Sequence, residues 1–370
     1  MPPKVMDKLL NGVGPALALV TLSGSAHSQS TQFHVVPATY ASTDAVSYEW
    51  IAGANADLRQ QTLIGASHLT GLVNHPIHAI ELRRTAANEI YQGGTANLAV
   101  TLSTSPNAPL SCSQTYQNNV GPDALQVFAG PVTLPTSPAT TGPTVAWTPN
   151  NIVRIVFQTP FLYQGGTLLI DVVGQPIAGQ NANWWMADAE FEDIKGTTTQ
   201  VGPGCGAYGG PTHEWSHVAR RTLLPGAHAR FWAYGPPNGF AIAAFGAASP
   251  TPIPLASFGI PAPGCDMHLL PQLILSTTVT MFEPESNPLL APYGGVADIR
   301  IKLPADPWIF GMRLTTQWLE LSQPATSNAV EWTVASAMPT LDMALVEGSP
   351  LESFGEVSVH LAQVFRLEYQ

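Results

Sequence analysis

The pattern with the clearest chemical meaning lies at residues 213–217, where the sequence His-Glu-Trp-Ser-His matches the zinc-binding motif H-E-x-x-H. On a helix, His213 and His217 stand one turn apart, about 6 Å, so both can bind one zinc ion while the glutamate activates a water molecule. In a strand they lie about 13 Å apart, too far to share a metal. Arg220 and Leu223 replace the glycine and the third histidine of the extended motif. We therefore expect a histidine-bearing strand or turn, and a zinc hydrolase remains the alternative.

A second candidate site is the segment 184–193, in which Trp184 and Trp185 precede four carboxylates. Paired carboxylates serve as acid and base in glycosidases, and clustered ones bind calcium. Tryptophan rings also stack on sugar rings, so the segment is a candidate for carbohydrate binding. The favoured interpretation is a solvated loop or edge strand with tryptophans in the core. The carboxylates are Asp188, Glu190, Glu192 and Asp193, and the first two are the candidate ligand-binding ones.

Other catalytic signatures are missing from the sequence. It contains no Gly-x-Ser-x-Gly elbow, no phosphate loop and no dinucleotide fingerprint, so it gives no basis for a serine hydrolase or a nucleotide enzyme. The net charge of −11 argues against a nucleic-acid partner, because binding phosphates requires basic side chains. The sequence therefore favours a non-catalytic protein without a cofactor, and Ca or Zn stays open as an alternative.

The elements that would carry these residues are short strands. Of 370 residues, 32 are glycine, 34 are proline and only 11% are charged, which is typical of a loop-rich β protein. Residues 98–102 alternate between apolar and polar, and residues 297–303 place Asp298, Arg300 and Lys302 opposite three apolar side chains. Residues 356–369 read as one long final strand. We predict an all-β protein with two tandem β-sandwich or jelly-roll-like domains, residues 31–200 and 203–370.

The first residues resemble a secretory signal peptide. Lys4 and Lys8 precede an apolar run at residues 12–22, and small residues follow at 24–26. The pattern predicts a signal peptide over residues 1–28, and no later stretch of the sequence reaches transmembrane length. We therefore expect a secreted, extracellular or cell-surface protein.

Several short motifs follow one another in a recognisable order. They are Gly-Cys-Gly at 204–206, Ile-Pro-Ala-Pro-Gly-Cys at 260–265 and Pro-Ala-Asp-Pro at 304–307. This order resembles the C-terminal module of the large family of secreted planctomycete-type β-rich proteins. The first half, with Tyr-Gln-Gly-Gly-Thr-Leu-Leu at 163–169, is similar to the module often found ahead of it. The matches span most of residues 95–340, and the resemblance supplies no catalytic residues.

The resemblance and the cysteine spacing both imply a disulfide between Cys205 and Cys265. It would close a loop of about 60 residues and contribute roughly 4 kcal/mol to stability in the chain-entropy model. The alternative is that both thiols are simply buried. Cys112 is then unpaired or bridges to another chain.

Three functions remain open at this stage. The first is a non-catalytic structural or adhesive protein that binds an extracellular polymer, the cell envelope or copies of itself. The second is a carbohydrate-binding protein that uses exposed tryptophans, and the third is the zinc hydrolase. The position of His213 and His217 on a helix or a strand distinguishes the third from the others.

Overall fold

The computed structural model of the chain describes residues 30–140, 142, 144–179, 185–206, 218–219, 223–235, 238–281, 295–321 and 324–370. Strands dominate these residues, and the helical segments among them are 3₁₀ turns of three or four residues. The predicted all-β class is therefore confirmed. The predicted signal peptide, residues 1–28, lies outside the described residues. A search of the described residues for a helix long and apolar enough to cross a membrane finds none.

Ten strands are described before residue 203. They are β1 (Gln32–Val36), β2 (Ser47–Trp50), β3 (Leu58–Ile64), β4 (His75–Arg83), β5 (Gly94–Ser105), β6 (Leu125–Leu134), β7 (Ile152–Tyr163), β8 (Thr167–Pro176), β9 (Met186–Phe191) and β10 (Thr197–Gly202). The 3₁₀ turns in this part are Ala38–Ala41, Ala66–His68, Thr70–Leu72, Pro109–Ser111, Tyr116–Asn119 and Pro149–Asn151.

Thirteen further strands are described after it. They are β11 (Val218–Ala219), β12 (His228–Gly235), β13 (Phe240–Pro254), β14 (Asp266–Thr278), β15 (Thr280–Met281), β16 (Gly295–Lys302), β17 (Arg313–Glu320), β18 (Ala325–Thr326), β19 (Ala329–Thr333), β20 (Met343–Gly348), β21 (Glu356–Ser358), β22 (Leu361–Gln363) and β23 (Phe365–Tyr369). Leu255–Phe258 and Pro307–Ile309 are 3₁₀ turns.

Two facing sheets, here called the first sheet pair, enclose the first apolar core. One sheet has the strand order β1-β23-β4-β7 and the other β21-β20-β3-β8-β5-β6, and all pairings are antiparallel. Alternate residues of β5 point inward, so Leu98, Val100 and Leu102 are buried with Ile155 of the opposite sheet. A smaller sheet, β2-β9-β22, adds Trp185 and Ala187 from around β9 to this core.

The last strands of the chain belong to the first sheet pair. β20 pairs with β3, and β23 lies between β1 and β4. This differs from the predicted domain of residues 203–370, which placed the chain end with the second half. The physical reason is burial on both faces: Met343 joins the first core, whereas Ala344 and Val346 pack on the opposite side of their sheet. Such a strand needs a central position in a covered sheet.

The second sheet pair encloses a separate core. Its sheets have the orders β10-β19-β17-β13-β14, with β18 beside β17, and β11-β12-β16-β15. Phe231, Phe245 and Trp332 meet edge-to-face between them. The predicted division of residues 297–303 into a polar and an apolar face is confirmed, because the apolar side chains of this stretch pack on this core. β10 already pairs with β19, so this pair of sheets begins before the predicted boundary at residue 200.

A third apolar cluster joins the two sheet pairs. Leu224, Ala227 and Ala335 from the second half pack with Leu63 and Leu169, which point outward from the first sheet pair. The two halves therefore share a buried interface, and side chains on β12 and β16 approach the segment around residues 347–358.

Candidate functional site

Trp185, one of the predicted ligand-binding residues, lies in the core. Its side chain is fully buried, its Nε1 donates to the Pro135 carbonyl over 3.0 Å, and its ring meets Tyr91 edge-on. A ring enclosed in this way offers no flat face to a sugar, so the core-packing alternative describes this residue. Trp184 lies outside the described residues.

Asp188, on β9, is the partner of a buried arginine. Its Oδ2 lies 2.5 Å from Nη2 of Arg83, and both side chains are completely buried. Its other oxygen accepts a hydrogen bond from the Ala45 amide. Burial raises the pKa of Asp188 to about 6, with a contribution from the nearby Asp44, although Arg83 and the Ala45 amide lower it. The carboxylate holds three chain segments together.

The other three carboxylates of the segment have separate partners. Glu190 accepts a hydrogen bond from the Tyr40 hydroxyl, and Glu192 accepts from the amide and hydroxyl of Thr340. Asp193 pairs with Lys195 in solvent. The structure thus directs these neighbouring carboxylates to different sites. Among the described residues, no group of three or more His, Cys, Asp or Glu side chains is arranged to hold a metal ion.

The H-E-x-x-H segment, with His213 and His217, lies outside the described residues. The nearest described histidine along the chain is His228, at the start of β12. Burial, together with the smaller effect of the positive charges of Lys302 and Arg300, lowers its pKa to about 4. A neutral imidazole is thus favoured at this position, and its Nδ1 has no hydrogen-bond partner among the described residues.

Cys205 and Cys265 form the implied disulfide, with a sulfur–sulfur distance of 2.05 Å. The bridge lies in an apolar cluster outside the second core, together with Leu255 and Met267. Cys112 is a free, buried cysteine, and burial raises the pKa of its thiol to about 12. A protonated, enclosed thiol is unreactive and unsuited to a bridge with another chain.

An apolar groove lies beside the disulfide, on the outer face of the sheet that contains β13 and β14. Its volume is about 420 Å³. Phe258 and Ile274 form its exposed rim, with 48% and 60% of their surface open to solvent. No sequence motif pointed to this site. All of its lining side chains are apolar: Ile242, Ala244, Leu255, Phe258, Ile260, Met267, Pro271, Ile274 and Leu319.

The region around the groove carries almost no charge. Residues 231–282 contain a single charged side chain, Asp266, in a chain whose net charge is −11. Strand β14 forms the edge of its sheet, and among the described residues no strand pairs with its outer side. This tract with a single charged residue is the sequence signal that would have indicated the site.

The apolar groove is therefore taken as a candidate interaction site among the described residues. The sequence matches no known protein family, and a search of curated proteins finds no similar sequence.

Proposed function

We propose that the protein is a secreted or cell-surface, non-catalytic structural or adhesive protein that associates with copies of itself. The observation that carries the proposal is the apolar groove beside the edge strand β14, which carries no charge after Asp266. Solvent-exposed apolar rims such as Phe258 and Ile274 are typical of protein interaction sites. The Cys205–Cys265 disulfide fits an oxidising compartment, which supports the expectation of export.

Strand β14 supplies the first reason to choose a second copy as the partner. An edge strand presents unpaired amide and carbonyl groups, and proteins commonly protect such edges with charged residues, prolines or bulges. Pro271 interrupts β14, but residues 272–278 contain neither a charge nor a proline. Two such strands related by a two-fold axis pair antiparallel and close the edge on both molecules.

Charge supplies the second reason. Two copies with a net charge of −11 repel each other over most of their surfaces. The repulsion is weakest where each copy presents the tract 231–282, since that tract carries only Asp266. Contact at the groove then removes apolar surface from water without burying an unpaired charge. A highly charged partner would gain nothing comparable at this face.

A pair of matched substitutions tests the proposal. Ile274→Lys places a charge on the rim of the groove, whereas Ile90→Lys makes the same change at an equally exposed isoleucine in another region, with 59% of its surface open. In a two-fold dimer each substitution occurs twice. Losing about 1.5 kcal/mol of apolar burial per copy weakens dimerisation about a hundredfold.

Light scattering on size-exclusion fractions measures the outcome. We expect the wild type and Ile90→Lys to share one concentration-dependent molecular mass, and Ile274→Lys to remain monomeric. If the wild type is monomeric at every accessible concentration, or if both variants associate equally, self-association through this groove is wrong.

A further inference from the structure

One wall of the apolar groove belongs to a part of the β13–β14 hairpin that extends past β17. Within the described residues, β17 pairs with residues 241–246 of β13, whereas residues 247–254 pair with β14 alone. Residues 247–270 are here called the hairpin arm. Phe258, at the tip of the arm, lines the groove together with Leu319 of β17. The shape of the groove therefore depends on where the arm lies on the sheet.

The Cys205–Cys265 disulfide fastens the hairpin arm to the neighbouring strands. Cys265 lies in the arm, whereas Cys205 is anchored to β18, the strand beside β17. The Cys205 amide donates to the Thr326 carbonyl over 2.9 Å, and the Thr326 amide donates to the Cys205 sulfur over 3.1 Å. Both cysteines are buried in the apolar cluster that contributes Leu255 and Leu319 to the groove. The bridge therefore joins the wall of the groove to the sheet that forms its floor.

Hydrogen bonds hold the base of the arm but not its tip. The Gln317 side chain accepts from the His268 amide over 2.8 Å and donates to the Asp266 carbonyl over 3.1 Å, so the start of β14 stays on β17 without the bridge. The backbone hydrogen bonds described for residues 256–264 all have partners within residues 255–265. Because the tip has no such fastening to the sheet, loss of the bridge loosens the wall of the groove more than the rest of the fold.

We propose that oxidation of Cys205 and Cys265 controls the self-association of the chain. In the dithiol form, the tip of the arm with Phe258 moves relative to the floor of the groove, and the chain stays monomeric. Forming the bridge removes two protons and two electrons from the thiols, and a disulfide oxidant takes them up and becomes two thiols. The oxidised chain then presents a preorganised groove to a second copy, so assembly begins in an oxidising compartment. This inference rests on the proposed self-association.

Light scattering on the full chain in its two redox forms tests the proposal. Folding in dithiothreitol gives the reduced form with three free thiols, and later addition of glutathione disulfide gives the oxidised form, in which Cys112 is the free cysteine. We expect self-association to be about tenfold or more tighter after oxidation, because the wall with Phe258 is then preorganised. Amides of residues 255–264 should also exchange faster with deuterium in the reduced form.

Two variants assign the effect to the bridge. The double variant Cys205→Ala, Cys265→Ala should associate weakly under both conditions, whereas Cys112→Ala, the control, should respond to oxidation like the wild type because this thiol lies in another cluster.

The possible failures are distinguishable. Equal association of the two redox forms overturns this inference and leaves the proposed self-association intact, whereas a monomeric oxidised chain overturns both. Unfolding of the reduced chain, measured by tryptophan fluorescence, also overturns the inference, because the bridge would then support the whole fold rather than the wall of the groove.

Discussion

Replacing Asp188 by asparagine tests whether this buried carboxylate supports the fold. In the wild type, Asp188 and Arg83 are both completely buried and lie 2.5 Å apart. Arg83 also donates to the carbonyl groups of Thr43 and Val145, so it is fixed in place. After the substitution, the positive charge of Arg83 has one remaining carboxylate nearby, that of Asp44. Its Oδ1 lies 3.7 Å from Nη2 of Arg83. An incompletely balanced buried charge destabilises the folded state.

The magnitude follows from the burial of the pair. Removing one partner of a buried ion pair costs about 3–5 kcal/mol, and we expect about 3 kcal/mol here because Asp44 compensates in part. Asp193→Asn provides the matched control, since Asp193 and Lys195 form an exposed pair with side chains 67% and 62% open to solvent. Its effect on the free energy of unfolding should stay within about 0.5 kcal/mol.

Urea unfolding followed by tryptophan fluorescence measures both variants. We expect a clear shift of the unfolding midpoint for Asp188→Asn, no shift for Asp193→Asn, and an unchanged dependence of the unfolding free energy on urea concentration in both variants. A loss below about 1 kcal/mol in Asp188→Asn would refute it, because an arginine that tolerates the loss of its partner cannot depend on that carboxylate.

Three further predictions concern the cysteines and His228. Replacing Cys205 and Cys265 by alanine opens a loop with a sequence separation of 60 and should lower the free energy of unfolding by about 4 kcal/mol in urea; a loss below about 1 kcal/mol contradicts this. Because the pKa of His228 is lowered to about 4, lowering the pH from 6.5 to 4 should cost the wild type about 1–2 kcal/mol of stability relative to a His228→Gln variant, less than the full pKa difference implies for a half-buried ring. His228→Gln should remove this dependence, and an identical pH profile in the variant argues against it. Buried Cys112 should react with iodoacetamide only after unfolding, so rapid labelling of the native chain would be incompatible with its burial.

Local patterns in the sequence predict which side chains face a core. The alternation at 297–303 is an example, because Ile299 and Ile301 pack inward while Asp298 and Arg300 form polar contacts on the other face. The period of two in a strand fixes this division without knowledge of the neighbouring strands.

A local sequence pattern does not show which strands pair with one another in a sheet. The predicted single strand at 356–369 is divided into β21, β22 and β23, which join three different sheets. Phe365 pairs with Leu82, far away along the chain, and no local pattern reveals that pairing. The same limit applies to Asp188, whose partner Arg83 is 105 residues away. Their closeness in the sequence suggested that Asp188, Glu190 and Glu192 form one site. In the folded chain, each of these carboxylates contacts a different partner.

The apolar groove was missed for a related reason. Its lining comes from β13, β14, β17 and the turn around Leu255, and each contribution alone looks like ordinary core. Only the assembled sheet shows that Ile274 and Phe258 remain at the surface. Trp185, for which the sequence left core packing and sugar binding as alternatives, is buried in the core.

Hydrogen–deuterium exchange of the protein at increasing protein concentration tests the central claim, self-association through β14, most directly. Strand β10, at the opposite edge of the same sheet, is the internal control. The account predicts that amides in residues 272–278 become protected as the concentration rises, while amides in β10 exchange at a constant rate. Exchange in residues 272–278 that is independent of concentration would contradict it.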